Sequence, residues 1–397
     1  MLTLDTVYKA SYALKHIIRK TDLIYAPHFE CDNDIWLKTE NLQITGSFKV
    51  RGAYYKISTL SEDERSRGVI ACSAGNHAQG VALASREIGV KSTIYIPSSA
   101  PISKVEATKR LGAEVVLVDG VYDDAYAEAC KAVEETGAVF VHPFDDEEVI
   151  AGQGTIGLEL MDEMPELDAV VVPIGGGGLA SGIAFTIKQL NPGCKVYGVQ
   201  AEGAPSMFNA VKQGAMTGLD RVSTFADGIA VKCPGSLTYE LCSQYLDGIY
   251  TVSDDETATA VLSMMENQKL VSEGAGAVAV AAVMFNKLPI QGKKVACVLS
   301  GGNIDVTILS RVIQRGLVMS GRETELTVEL IDKPGQLRDV ATIIAREGAN
   351  VVTVTHTHGG EKTDINGCYL RLSLETRNHE HLRQIEQALV NEGYRIL

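Results

Sequence analysis

"VVVPIGGGGLASGIAFTI" occupies positions 170 to 187. An apolar run ends at Ile174, four glycines follow, and the spacing predicts a helix beginning after Leu179. Strand, bare turn and helix in immediate succession are one step of parallel α/β architecture. The step recurs on both sides. "GVIACSAG" (68–75), "STIYIP" (92–97), "AEVVLVDG" (113–120) and "AVFVHPF" (138–144) read as strands before it, and "CKVYGVQ" (194–200), "GIYTVS" (248–253) and "KKVACVLS" (293–300) after it. Amphipathic segments separate them. Ser103 with Glu106 reads as a capping box for a helix that stops at Gly112, and Ser253 with Glu256 as another before "TATAVLSMMENQKL".

Three of the strand ends carry polar or glycine-rich turns. Successive N–H groups from Gly175 to Gly178 can close around a phosphate, and the following helix terminus adds its partial positive charge. Gly175, Gly177 and Ala180 also satisfy a loose dinucleotide fingerprint, with Glu202 after the next strand, so a Rossmann-type dehydrogenase is the rival reading. In "VIACSAGNHAQGVALA", Ser73, Gly75, Asn76 and His77 lie between strand and helix, where backbone amides and an Asn side chain can hold a carboxylate. Ser73 or Asn76 as a plain helix cap is the alternative. In "KKVACVLSGGNID" the strand ends on Ser300, either a crevice hydroxyl or a turn residue. Ligands of open α/β sheets collect at such carboxyl ends.

"ENLQITGSFKVRGA" (40–53) places Lys49 where a glycine turn opens a helix. A cation is disfavoured at the positive end of a helix dipole, so the position asks for a chemical use of the amine. The dehydrogenase reading leaves Lys49 and "SAGNHAQG" without one.

The 397 residues exceed one comfortable core, which predicts two or three domains. A net charge of -14 argues against nucleic acid and against an anionic membrane surface, leaving small molecules as ligands. The first twenty residues carry acids and lysines in place of a signal peptide's apolar core, and no membrane-spanning run exists, which predicts a cytoplasmic protein. Eight cysteines, among them Cys31, are scattered without a C-x-x-C pair and read as small buried hydrophobes.

Taken in order and spacing, "GSFKVRGA", "SAGNHAQG", "GGGGL" and "LSGGN" resemble the fold type II pyridoxal-phosphate enzymes, specifically the serine/threonine dehydratase family, over about positions 1 to 315. The resemblance implies a two-lobed, tryptophan synthase β-like α/β fold across 1–318, with a smaller lobe at about 45–145. It implies pyridoxal 5'-phosphate as cofactor and L-threonine as substrate, giving 2-oxobutanoate and ammonia, with L-serine giving pyruvate. Lys49 would form an imine with the cofactor aldehyde and Phe48 would lie against the ring. Gly175, Gly176, Gly177, Gly178 and Leu179 would cradle the phosphate, Asn76 would meet the ring hydroxyl and Ser300 the ring nitrogen. Ser73, Gly75, Asn76 and His77 would take the substrate carboxylate. Racemase-like relatives carry a serine where this chain has Ala74, which favours elimination over racemisation. Gln200, Ala204 and Ser206 are poor ligands at the position where such relatives hold a divalent ion, so no metal is expected. Asp227, Gly228 and Glu273 match family segments near the cofactor or substrate. A racemase-type enzyme and a non-catalytic amino-acid sensor remain as alternatives.

After "RGLVMSGRETEL" the pattern changes to strand 325–330, helix 335–347, strands 349–357 and 367–375, and helix 378–392, an α+β module over 325–397. "TELTVELIDKPGQLRDVATIIAREGANVVTVTHTH" resembles an ACT domain, a ferredoxin-like βαββαβ unit with its signature at Asp332 to Leu337. The resemblance implies an amino-acid or nucleotide effector and a homo-oligomer, a tetramer by family likeness. His356 and His358 share a strand face, followed by His379 and His381. With no evident cysteine or acid to complete a cluster, they read as solvated histidines.

Overall fold

The computed structural model describes residues 2–27, 29, 32–358 and 367–397. Cys31 lies outside them. The chain divides into two units, Met1–Asp305 and Val306–Leu397.

The first unit carries β1 (Leu23–Tyr25), β2 (Asp34–Lys38), β3 (Val69–Cys72), β4 (Ser92–Pro97), β5 (Glu114–Val118), β6 (Val139–Phe140), β7 (Ala169–Pro173), β8 (Lys195–Ala201), β9 (Gly248–Val252) and β10 (Lys294–Val298). One sheet runs β1-β2-β10-β7-β8-β9 and a smaller one β5-β4-β3-β6. Only β1 with β2 pairs antiparallel. Helices cover both faces of such sheets, which is why β7 is buried at every position and reads as an unbroken apolar run. Val170, Val172 and Ile174 share a core with Leu179, Ile183 and Ile187 of the helix Gly178–Leu190.

That helix starts earlier than the sequence implied. Gly177, at φ 103°, reverses the chain in a single residue, a conformation other residues rarely adopt, and so lets Gly178 open the helix. The capping box expected at Ser103 and Glu106 does not form. The helix Ile102–Arg110 begins after Pro101, so Ser103 already lies within its first turn and no side chain caps it. The Ser253 box does form: Ser253 Oγ accepts from the Glu256 amide at 3.2 Å, and Glu256 Oε2 accepts from the Ser253 amide at 2.8 Å.

Two features fix the helix Lys49–Ser58. A Cβ on Gly80 would lie 3.1 Å from Lys49 backbone, so glycine allows the helix Asn76–Ile88 to cross against its first turn. Arg51, fully buried, donates to Glu40 Oε1 at 2.7 Å and Oε2 at 2.8 Å, and to Glu159 at 2.6 and 3.0 Å. Buried Lys38 of β2 reaches the same Glu159 at 2.7 Å. Strand and helices are thus tied through one ionic cluster.

The second unit holds β11 (Glu323–Ile331), β12 (Asn350–His358), β13 (Gly367–Glu375) and β14 (Arg395–Ile396), antiparallel in the order β12-β13-β11-β14. Helices Gln336–Glu347 and His379–Asn391 cover the face that carries Leu326, Val328, Leu330, Leu370, Leu372 and Leu374. His381 is not solvated as expected. It is buried, Nδ1 accepts from the Arg377 amide at 3.0 Å, and Nε2 lies 2.9 Å from the Glu347 carbonyl. The seven described cysteines are free thiols, five of them buried and Cys233 exposed. Among the described residues no helix is long and apolar enough to cross a membrane.

Candidate active site

The carboxyl ends of β3, β7 and β10 and the start of the Lys49 helix open on one cavity of about 930 Å³. Phe48, Lys49, Ser73, Gly75, Asn76, His77, Gly175 to Gly178, Leu179 and Ser300 all line it. Backbone pairing sets the register between the lysine and the serine. The Phe48 amide donates to the Ser300 carbonyl at 3.1 Å, the Gly302 amide to Gly46 at 2.8 Å, and Ser47 bridges Gly301.

Lys49 Nζ donates to the Pro143 carbonyl at 2.7 Å and lies 5.2 Å from the centre of the Phe48 ring. Loss of hydration lowers its pKa to about 8, against a weaker pull upward from Glu273. A lysine so placed is neutral in about a tenth of the molecules at pH 7, far more than an exposed lysine.

Gly176, Gly177 and Gly178 owe their identity to Phe144, Met207 and Thr238, and Gly175 lies against Ile229, where a Cβ would come within 3.1 Å of backbone. A Cβ on Gly176 would sit 2.3 Å from the Phe144 ring, one on Gly178 2.9 Å from Phe144 backbone, and one on Gly177 2.7 Å from Met207 and Thr238. Thr238 Oγ1 donates to the Gly176 carbonyl at 2.6 Å, and Asp145 accepts from the amides of Leu237 and Thr238, holding that support in place. Among the described residues no protein group accepts from the amides of Gly175 to Gly178. They form an anion cradle at a helix amino terminus.

Gly75, not Ser73 or Asn76, is the cap residue of the helix Asn76–Ile88, and Ser73 Oγ accepts from the Gly75 amide at 3.1 Å. Asn76 Nδ2 donates to Glu273 Oε1 at 2.7 Å and its Oδ1 accepts from Asn303 at 2.8 Å. Asn303 also donates to the Thr45 carbonyl at 2.7 Å, closing a chain between the lysine turn and the Ser300 turn. His77 donates from Nε2 to the Val141 carbonyl at 2.8 Å, and desolvation, with Lys49 nearby, lowers its pKa to about 3. Its neutral ring, with bare Nδ1, cannot donate to a carboxylate, so the backbone amide is its donor toward the cavity. Ser300 Oγ has no protein partner among the described residues.

The sequence reading missed Phe144, Asp145, Thr238 and Asn303. Asn303 stands inside the quoted "LSGGN", so its motif was visible, whereas the other three act only through distant contacts. Asp227 and Glu273 line the cavity, and Lys104 pairs with Asp227 at 2.5 Å.

Residues 14–301 match the family described as pyridoxal-phosphate dependent enzyme. The chain belongs to that family. Residues 320–392 match the ACT domain. An L-threonine ammonia-lyase of Thermotoga maritima is 49% identical over 100% of this chain and 99% of its own. The processed form of threonine deaminase isoform 2 from Solanum lycopersicum superposes with a TM-score of 0.75 at 35% identity, covering 79% of this chain and 89% of that one. Maize serine racemase also gives 0.75, at 31% identity over 80% and 98%. Fold type II architecture with an ACT module is therefore established, as is dependence on pyridoxal phosphate. The cavity fits that group: an amine of lowered pKa, a cradle of free amides that any Cβ would obstruct, and an unpartnered Ser300 hydroxyl face one space.

Proposed function

We propose that this chain deaminates L-threonine to 2-oxobutanoate and ammonia, and L-serine to pyruvate, under control of its ACT module. The observation that carries the reading is Lys49, its pKa lowered to about 8, sharing one cavity with the Gly175 to Gly178 cradle and Ser300. Bound pyridoxal phosphate supplies the electron sink that makes the substrate α-proton removable. Lys49 Nζ would anchor that group and would serve as the base for the proton. The amides of Gly175 to Gly178, with Leu179, would hold the phosphate, and Phe48 would support the ring. Asn76 would hold the ring hydroxyl, and Ser300 Oγ, a neutral hydroxyl in place of an acid, would partner the ring nitrogen without supplying an acidic proton, which would favour elimination over transamination. At the turn through Gly75, whose own amide is held by Ser73 Oγ, the amides of Asn76 and His77 with the Ser73 hydroxyl would take the substrate carboxylate. Ala74 also lines the cavity and carries no proton to deliver, which supports elimination over racemisation.

The protein is proposed to be a cytoplasmic homo-oligomer, a tetramer by family likeness. Seven free thiols among the described residues fit a reducing compartment, and the exposed Val352 and Val354 on the edge strand β12 fit pairing between modules. The turn Asp332 to Leu337 is the proposed seat of an amino-acid or nucleotide effector.

Borohydride treatment of the yellow holoenzyme followed by peptide mapping should label Lys49. Lys49→Ala should lower turnover of both substrates by at least about 10²–10⁴-fold, the range for loss of a positioned base. Label at another lysine, or a Lys49→Ala variant that releases 2-oxobutanoate within about tenfold of the wild-type rate, would overturn the assignment.

A further inference from the structure

Alternation on β12 turns His356 and His358 to one face of its end, and the antiparallel register sets His356 opposite Leu370 and His358 opposite Cys368 of β13. On the other side of β13, Cys368 is paired with Leu330 of β11, and the chain leaves that strand two residues later at Asp332. Three strand ends therefore bring an imidazole, a thiol and a carboxylate to one spot. One donor atom from each of Asp332, His356 and Cys368 lies within 4.8 Å of the others, the one such cluster of three among the described residues. His358 Nδ1 lies 3.3 Å from Asp332 Oδ2, and its ring centre is 4.7 Å from that of His356. The thiol sits at the base, 1% exposed, while Asp332 and His356 stand open above it.

Core packing beside Leu330 and Leu370 accounts for a cysteine but not for the imidazole and carboxylate gathered over it. The sequence reading found no acid or cysteine to complete the histidine pair because both come from other strands. A tetrahedral zinc ion places its nitrogen, oxygen and sulfur ligands about 3.3–3.8 Å apart. Side-chain rotation of about 1 Å closes the observed spacing to that range. A thiolate in the set disfavours magnesium and calcium, which take oxygen ligands, and selects the softer first-row ions.

We propose that Asp332, His356 and Cys368 form a binding site for a zinc-class divalent transition-metal ion in the carboxy-terminal module, with His358 orienting Asp332. The ion enters as the divalent cation, and the Cys368 thiol releases its proton to solvent as the sulfur–metal bond forms. Three protein ligands leave a fourth position for water or for a donor group of a small molecule.

The test uses the full-chain holoenzyme freed of metal with a chelator and titrated with zinc chloride against a chromophoric competitor, with bound metal counted by mass spectrometry. One zinc per chain is expected, with His356→Ala and Cys368→Ser each weakening binding by more than about 100-fold, beyond the range for outer partners. His358→Ala should weaken it about 10-fold. Cobalt(II) should give a thiolate-to-metal absorbance band over the cofactor background in wild type and none in Cys368→Ser. His356 is exposed, so His356→Ala reads the site even where Cys368→Ser destabilises the core. Binding below one equivalent, or unchanged affinity in His356→Ala, would overturn the proposal.

Discussion

Glu273 shows how one carboxyl in the cavity wall links chemistry to stability. It is 4% exposed, its Oε1 accepts from Asn76, and burial first, then the charge of Asp227, raises its pKa from 4.5 to about 7. Between those values the folded chain keeps a proton that the unfolded chain has released, so this group's contribution to stability falls as pH rises through the window. His77 and His142 act oppositely. Burial lowers them to about 3 and about 4, so the unfolded chain binds the extra protons and stability rises with pH up to the ordinary histidine value of 6.5. A difference measurement isolates Glu273. Glu273→Gln can still accept from Asn76 and has no proton to lose. The urea midpoint of the variant should gain on wild type as pH goes from about 5 to about 7.5. A gap that does not change with pH would mean that Glu273 ionises as an ordinary carboxylate.

Among elements, the helix Lys49–Ser58 is the one on which the site depends, and Arg51 fastens it to Glu40 and Glu159. Truncating one member of a buried ionic cluster leaves its partners charged and unpaired, at a cost of about 3–5 kcal/mol. Arg51→Met should therefore lower unfolding free energy by about that amount in urea titrations and loosen cofactor retention, read as loss of yellow colour on dialysis. A loss below about 1 kcal/mol would show the cluster to be replaceable. The motif "GSFKVRGA" displayed Lys49 plainly because a cation at a helix start is anomalous by itself. Arg51, two residues on, carries no such signal, since its partners lie 11 and 108 residues away and leave no mark on local pattern. The same distinction separates the glycine cradle, legible as four glycines at a strand end, from Phe144 and Thr238, which pack against it from elsewhere in the chain.

At the scale of the whole molecule, strand rhythm revealed α/β architecture, the family resemblance implied its two lobes, and the change of pattern pointed to a second module without marking the dividing residue. The helix Val306–Met319 carries the apolar periodicity of its predecessors, and only tertiary contacts assign it to the unit that follows. The division at Asp305 leaves every residue of the cavity, including Ser300, and Asn303 behind it, in the first unit. Each unit also has its own core, so the proposed effector control would act as a coupling between them and not through a shared set of catalytic groups. Couplings of this kind amount to about 1–3 kcal/mol, or roughly 5–150-fold in affinity. A chain ending at Asp305 should keep the yellow cofactor and a kcat within about threefold of the full chain, a change smaller than one such coupling. It should lose any dependence of KM on isoleucine, valine or a nucleotide that the full chain displays. Retention of that dependence in the shortened chain would place the effector in the catalytic unit, and loss of the cofactor would show that Val306–Leu397 supports the catalytic fold itself.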